Sequence, residues 1–146
     1  MELKSFMRKA THLFVTFGSA WAYRLRSDGE IVANCHKQNS QLFQKENSQV
    51  AEIVTSWKSV ISLLKKENPT LNVFFTVSPV RHIKDGYIEN NRSKARLLMA
   101  VEELQAESDV YYFPAYEFVL DDLRDYRYFK SDGTHPSPEA VSELWD

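Results

Sequence analysis

Ser48 to Ser78 reads S-Q-V-A-E-I-V-T-S-W-K-S-V-I-S-L-L-K-K-E-N-P-T-L-N-V-F-F-T-V-S, and its two halves carry different periods. In the first half Val50, Ile53, Val54, Trp57, Val60, Ile61 and Leu64 recur at helical spacing, which predicts an amphipathic helix over Ser48–Lys66. Asn47 or Ser48 is available as its cap, Lys65 and Lys66 suit the negative end of the dipole, and Asn68-Pro69 stops it. In the second half Leu71–Val77 is a nearly continuous apolar run without alternation, as expected of a strand covered on both faces. A helix feeding such a strand is the unit of a parallel sheet.

The same alternation extends outward in both directions. Upstream, His12–Phe17 (H-L-F-V-T-F) is a short β-rich run closed by Gly18, read as a buried strand. Downstream, a helix starting at Asn91 or Ser93 and reaching about Gln105 presents Ala95, Leu98, Met99, Val101 and Leu104, and Val110–Phe113 (V-Y-Y-F) is a third strand. Successive strand–helix units with short links imply a parallel sheet sandwiched by helices. Smaller elements fill the rest. Glu2–Lys9 reads as the end of a helix with Leu3, Phe6 and Met7 on one face. Ser27-Asp28-Gly29-Glu30 is a turn between extended arms at Ala22–Leu25 and Ile31–Ala33. A short helix around Phe118–Leu123 leads into a loop, Arg124–Lys130, whose charges and aromatic rings are expected to form a stiffening cluster. Pro138–Trp145 is a final helix with Ser137 as cap.

Composition bounds the function. A chain of 146 residues with 43% apolar and 26% charged content is one globular domain, residues 1–146. A formal charge of −2 gives no basis for a nucleic-acid partner. No apolar run approaches the roughly eighteen residues a membrane helix needs, so no membrane partner is expected either. Cys35 is the only cysteine and no signal peptide is evident, which together fit a reducing, cytoplasmic compartment. No H-x-x-x-H or C-x-x-C spacing occurs, so neither a metal nor another cofactor is expected (cofactors: none). The oligomeric state stays unknown at this level.

Polar residues collect where the predicted strands end. Gly18–Ser19, Ser78–Arg81, Glu117 and the turn Asp132-Gly133-Thr134-His135 all follow strands, so they belong on one rim of the sheet, where open α/β folds place their ligands. The D-x-x-H turn runs into the Ser137-Pro138 helix start, so Asp132 can hold the His135 imidazole in one tautomer and support its charge. Taken alone, so short a pattern is more often an ordinary loop. Arg81 and His82 can contact substrate oxygens, Arg81 through its planar fork; the competing reading pairs Arg81 with Glu117 or Asp121 as a loop tie. Cys35 beside His36 is read as an inert thiol, because adjacent residues on an extended chain point to opposite sides.

Seven ordered blocks carry a resemblance. T-F-G-S-A-W-A-Y-R (Thr16–Arg24), V-A-N-C-H-K (Val32–Lys37), T-V-S-P-V-R-H-I-K-D-G (Thr76–Gly86), E-N-N-R-S-K-A (Glu89–Ala95), Y-F-P-A-Y-E (Tyr112–Glu117), D-D-L-R-D-Y-R (Asp121–Arg127) and D-G-T-H-P-S (Asp132–Ser137) are similar to successive motifs of the GSCFA-domain family, which resembles the SGNH/GDSL hydrolases. The resemblance implies a three-layer α/β/α sandwich with a mostly parallel sheet, flavodoxin-like and SGNH-hydrolase-like. It also implies hydrolysis of a small-molecule or carbohydrate ester, with His135 as general base and Asp132 as its orienter. Gly18 matches the start of the SGNH G-x-N-D block, but the following residues are Ser19-Ala20-Trp21, so the oxyanion-hole Asn is absent there and Asn34 is the candidate substitute. Gly18, Asn34, Ser78, Arg81 and His82 are thus the oxyanion or substrate-binding candidates. The name motif Gly-Ser-Cys-Phe-Ala does not occur. The expectation is therefore a domain incomplete at its N-terminus, with the nucleophile in the preceding segment. Ser19 is the candidate nucleophile within the chain, although its surroundings lack the G-x-S-x-G elbow. The alternative is a non-catalytic module, truncated or degenerate, that binds a glycan or a protein partner through the same crevice.

Overall fold

A computed structural model describes residues 3–32 and 37–145. A five-residue helix, α1 (Leu3–Met7), leads to β1 (His12–Phe17). Next come β2 (Trp21–Leu25), β3 (Ile31–Val32) and β4 (Phe43–Asn47), then α2 (Val50–Glu67) and β5 (Asn72–Val77). α3 (Tyr87–Leu104), β6 (Val110–Tyr112), α4 (Ala115–Glu117) and α5 (Pro138–Trp145) complete the order, with a π-helical turn over Phe118–Asp122 after α4. β5 is the centre of a parallel sheet of order β1-β5-β6, in register from His12 opposite Asn72 to Phe17 opposite Val77 on one side and from Val73 opposite Val110 on the other. The expected α/β class, a parallel sheet flanked by helices, is what the chain forms.

The sheet is anchored on one face. Val73, Phe75 and Val77 alternate along β5 and are fully buried, packed with Val54 and Ile61 of α2 and with Leu97, Ala100, Val101 and Leu104 of α3 in adjoining clusters. Phe75 stacks on Phe17 at 5.2 Å and meets Trp57 edge-on at 5.0 Å, geometries that aromatic pairs prefer. On the opposite face α5 sets Trp145 against Phe113 at 5.5 Å. Phe14, Phe74 and Tyr111 form a ladder of rings 4.9 Å apart there, and Phe14 remains half exposed.

Several boundaries differ from expectation for identifiable reasons. β1 is an edge strand rather than a buried one, so its side chains alternate between exposed and half-buried. α2 begins at Val50, and Glu52 rather than Asn47 or Ser48 satisfies its first turn by accepting from the Gln49 N–H at 2.9 Å. α3 starts at Tyr87, directly after Gly86 at φ +81°, four residues before Asn91. Its buried stripe runs through Leu97 and Ala100, whereas Met99 is exposed. β4 was not expected at all. F-Q-K-E-N carries one buried side chain, Phe43, and so has no apolar alternation, yet it pairs antiparallel with β2 from Trp21–Asn47 to Leu25–Phe43. With β3 it makes a separate three-stranded ribbon of order β3-β2-β4. The expected turn at Ser27–Glu30 closes that ribbon, with Asp28 accepting from the Glu30 N–H. Ala33 lies outside the described residues.

Candidate active site

The D-x-x-H turn is held from its base. Phe129 and Pro136 bridge antiparallel, the Lys130 N–H donates to the His135 carbonyl at 2.8 Å, and the Ser137 N–H donates to the Tyr128 carbonyl at 2.8 Å. Gly133 sits at φ +66°, which a side chain would strain. Within this frame one oxygen of Asp132 accepts from the backbone N–H groups of Thr134 (2.8 Å) and His135 (3.0 Å), and the other lies 2.7 Å from His135 Nδ1. Those backbone donors, His135 first and then Thr134, with the imidazole behind them, hold the Asp132 carboxyl well below the usual carboxylate range. A carboxylate at this distance fixes the proton on Nδ1 and leaves Nε2 as the basic nitrogen. Just ahead, Arg127 stacks on Tyr128 at 4.7 Å and donates to its hydroxyl at 2.7 Å, part of the expected cluster.

Asp132 and His135 form one wall of a crevice of about 650 Å³. Ser19, at the end of β1, lies on another, and Arg81 and His82, following β5, supply a third. The ribbon contributes Trp21, Tyr23 and Lys45, with Lys45 over the Trp21 ring at 4.6 Å and paired with Asp85. The rim predicted from strand ends therefore brings Ser19, Arg81, His82, Asp132 and His135 together. Other candidates fall elsewhere. Ser78 lines a separate apolar cavity under α5, and its hydroxyl accepts from the Val80 N–H. Glu117 accepts from the Tyr112 hydroxyl at 2.6 Å. Asn34, with Cys35 and His36, lies outside the described residues.

The segments that line the crevice rest on three polar residues of α3 that the sequence reading passed over, a layer beneath it that serves as its floor. Asn90, Ser93 and Lys94 occupy buried positions continuing the stripe of Leu97, Val101 and Leu104, and that spacing is the signal that marks them. Asn90 accepts from the His82 N–H at 2.9 Å, and the Ser93 hydroxyl accepts from the Ala20 N–H at 2.7 Å. Lys94, only 2% exposed, donates at 2.6 Å to the carbonyls of both Gly18 and Ser78, clasping the ends of β1 and β5. Burial brings its ammonium down to about 8. His82 is likewise lowered, by its own burial and then by the Lys94 charge, so it stands neutral in the crevice.

A model of the GSCFA family matches residues 1–146. The chain belongs to the GSCFA family. No curated protein matches it in sequence. Within this GSCFA chain, the matched blocks at Thr16–Arg24, Thr76–Gly86, Glu89–Ala95 and Asp132–Ser137 are the ones that build the crevice and its floor. Among the described residues no helix is long and apolar enough to cross a membrane.

Proposed function

We propose that the crevice is that of an SGNH-like ester hydrolase acting on acyl esters, with acylated carbohydrates as its substrate class. The observation that carries this reading is the 2.7 Å contact of Asp132 with His135 Nδ1 on the wall of a crevice that Ser19 also lines. His135 Nε2 takes the proton of the attacking hydroxyl as its oxygen adds to the ester carbonyl. Asp132 stabilises the imidazolium so formed, and that proton then passes to the departing alkoxide. Water repeats the sequence on the acyl-enzyme. Backbone N–H groups around Gly18 and Ser19 hold the oxyanion, with Asn34 as a candidate side-chain donor, and Arg81 and His82 contact substrate oxygens. The attacking group comes from the Gly-Ser-Cys-Phe-Ala block of the family, which these 146 residues do not contain; Ser19 is the alternative source.

The test is turnover of 4-nitrophenyl acetate by this chain and by a protein that also carries the Gly-Ser-Cys-Phe-Ala block. His135→Ala should lower it by about 10²-fold or more, the usual worth of a general base. Equal rates for parent and variant remove the assignment of His135. A fluorophosphonate probe locates the nucleophile separately, and labelling at Ser19 would transfer that role to it. Absence of both turnover and label in a protein that also carries the Gly-Ser-Cys-Phe-Ala block would mark the non-catalytic module, whose crevice binds a glycan or a protein partner instead.

A further inference from the structure

We infer that the crevice selects a carboxylate-bearing ligand and that Arg81 is the group that recognises the carboxylate. This deepens the hydrolase reading by naming its substrate class, an ester with a carboxylate on one half, but the anion contact rests on separate geometry. An arginine is charged at any working pH, and its planar fork matches a carboxylate. Arg81 has none within ion-pair distance among the described residues. The two acids that sequence suggested for it are engaged elsewhere: Glu117 with the Tyr112 hydroxyl, and Asp121 at 3.8 Å from Arg124. The guanidinium is nevertheless fixed. Its carbon lies 5.1 Å from the centre of the Phe129 ring, and the backbone from which it extends is tied to the D-x-x-H turn, the Arg81 amide N–H donating to the Thr134 carbonyl at 3.3 Å. Stacking covers a face of the guanidinium and leaves its N–H edges for a ligand, in the planar fork that matches a carboxylate with two parallel bonds.

The surrounding charges point the same way. Of the crevice acids, Asp85 is paired with Lys45, and Asp132 alone keeps an uncompensated charge beside the neutral His135 imidazole, fewer than the two cations Arg81 and Lys84. Lys84, exposed on the same wall, has no acid partner among the described residues. An acidic chain, at −2 overall, thus presents a net excess of positive charge in this crevice. A neutral substrate would leave a fixed arginine fork in the crevice without an acceptor.

The test reads binding without turnover, so it is independent of whether the chain hydrolyses anything. Glucuronate mimics a carboxylate on the alcohol half of an ester, succinate one on the acyl half, and glucuronamide is the uncharged counterpart of the first. Titrated into ¹⁵N-labelled protein, glucuronate or succinate should shift the Arg81 side-chain Nε–H and the Thr134 amide, and glucuronate should bind at least about tenfold tighter than glucuronamide. Whichever acid binds tighter assigns the half of the ester that carries the charge. Arg81→Gln should remove that preference and Arg81→Lys should recover only part of it, while Lys84→Gln should change it less than about twofold, since an exposed charge is screened. The comparison of glucuronate with its amide uses the unaltered protein, so it stands even if an Arg81 variant fails to fold. Equal binding of the two sugars, no shift from either acid, or a Lys84→Gln effect as large as that of Arg81→Gln would overturn the inference. A preference for glucuronate without ester turnover, in a protein that also carries the Gly-Ser-Cys-Phe-Ala block, refutes the hydrolase reading and leaves the carboxylate site standing.

Discussion

At the floor of the crevice Lys94 and Ser93, 2% and 1% exposed, tie the end of β1 to α3 across 76 and 73 residues of sequence. At its rim the side chains of Asp132 and His135 are about half exposed and are joined within four residues. Both regions are rich in polar contacts, yet they are stabilised differently. The floor is a tertiary construction whose polar groups would be unpaired if any member were lost. The rim is a locally bonded loop that keeps its form while facing water. The contrast teaches that stability and the proposed chemistry are separable in this protein, with stability resting on the floor and the proposed chemistry on the rim.

The hardest test of that separation lies in the core beneath the floor. Phe75→Ala should cost about 3–5 kcal/mol, because the ring is fully buried between Phe17 and Trp57 and its removal leaves a cavity. Urea unfolding measures this, and a loss below about 1 kcal/mol would mean that β5 is not the structural centre. One step nearer the crevice, Lys94→Met should cost about 2 kcal/mol by leaving the Gly18 and Ser78 carbonyls unpaired. It also carries a pH signature. Lys94 titrates near 8 in the folded chain and near 10.5 when exposed, so between those values the unfolded chain binds more protons. Stability must therefore rise with pH between about 8 and 10.5 and level off below 8, where Lys94 is protonated in both states. The rise should be missing from the Met variant; identical pH slopes in the two proteins would show that Lys94 is not desolvated.

The same contrast explains what could be read from the sequence. The rim was legible because its information is local: D-x-x-H, Gly133 and Ser137-Pro138 lie within a few residues, and the spacing itself dictates the contacts. The parallel sheet was legible because Leu71–Val77 is a continuous apolar run and the helix before it is periodic. The floor was not, because Asn90, Ser93 and Lys94 are polar residues on a buried stripe, and polar residues there resemble the capping residues of a later helix start. β4 escaped for a related reason, since Q-K-E-N carries no hydrophobic pattern and its pairing is dictated by β2. Arg81 was left between two roles by sequence, because whether Glu117 or Asp121 reaches it depends on where α4 and the following π-helical turn end.

A smaller effect probes the backbone of the rim. Gly133→Ala should cost about 1 kcal/mol from the positive φ alone, there being nothing within 4 Å of an added methyl group to clash with it. Thermal unfolding would register this as a modest shift. A much larger drop would mean that the turn is coupled to the core and that the floor–rim distinction is false.

The smallest stability change is expected from His135, the residue on which the proposed chemistry depends most. His135→Ala removes an exposed pairing worth little, while the backbone N–H of residue 135 still donates to Asp132 and the carbonyl still accepts from Lys130. The turn should therefore persist, and the unfolding free energy should change by about 0.5 kcal/mol or less. Asp132, held ionised by backbone donors that the substitution does not touch, should stay charged well below the usual carboxylate range in the variant as in the parent. The two variants at either end of the crevice then make a direct comparison: Lys94→Met lowers the urea midpoint and His135→Ala does not, while ester turnover should fall sharply in the second. If His135→Ala destabilised the chain as much as Lys94→Met, the imidazole would be a structural element of the loop, and the division of labour between floor and rim would have to be abandoned.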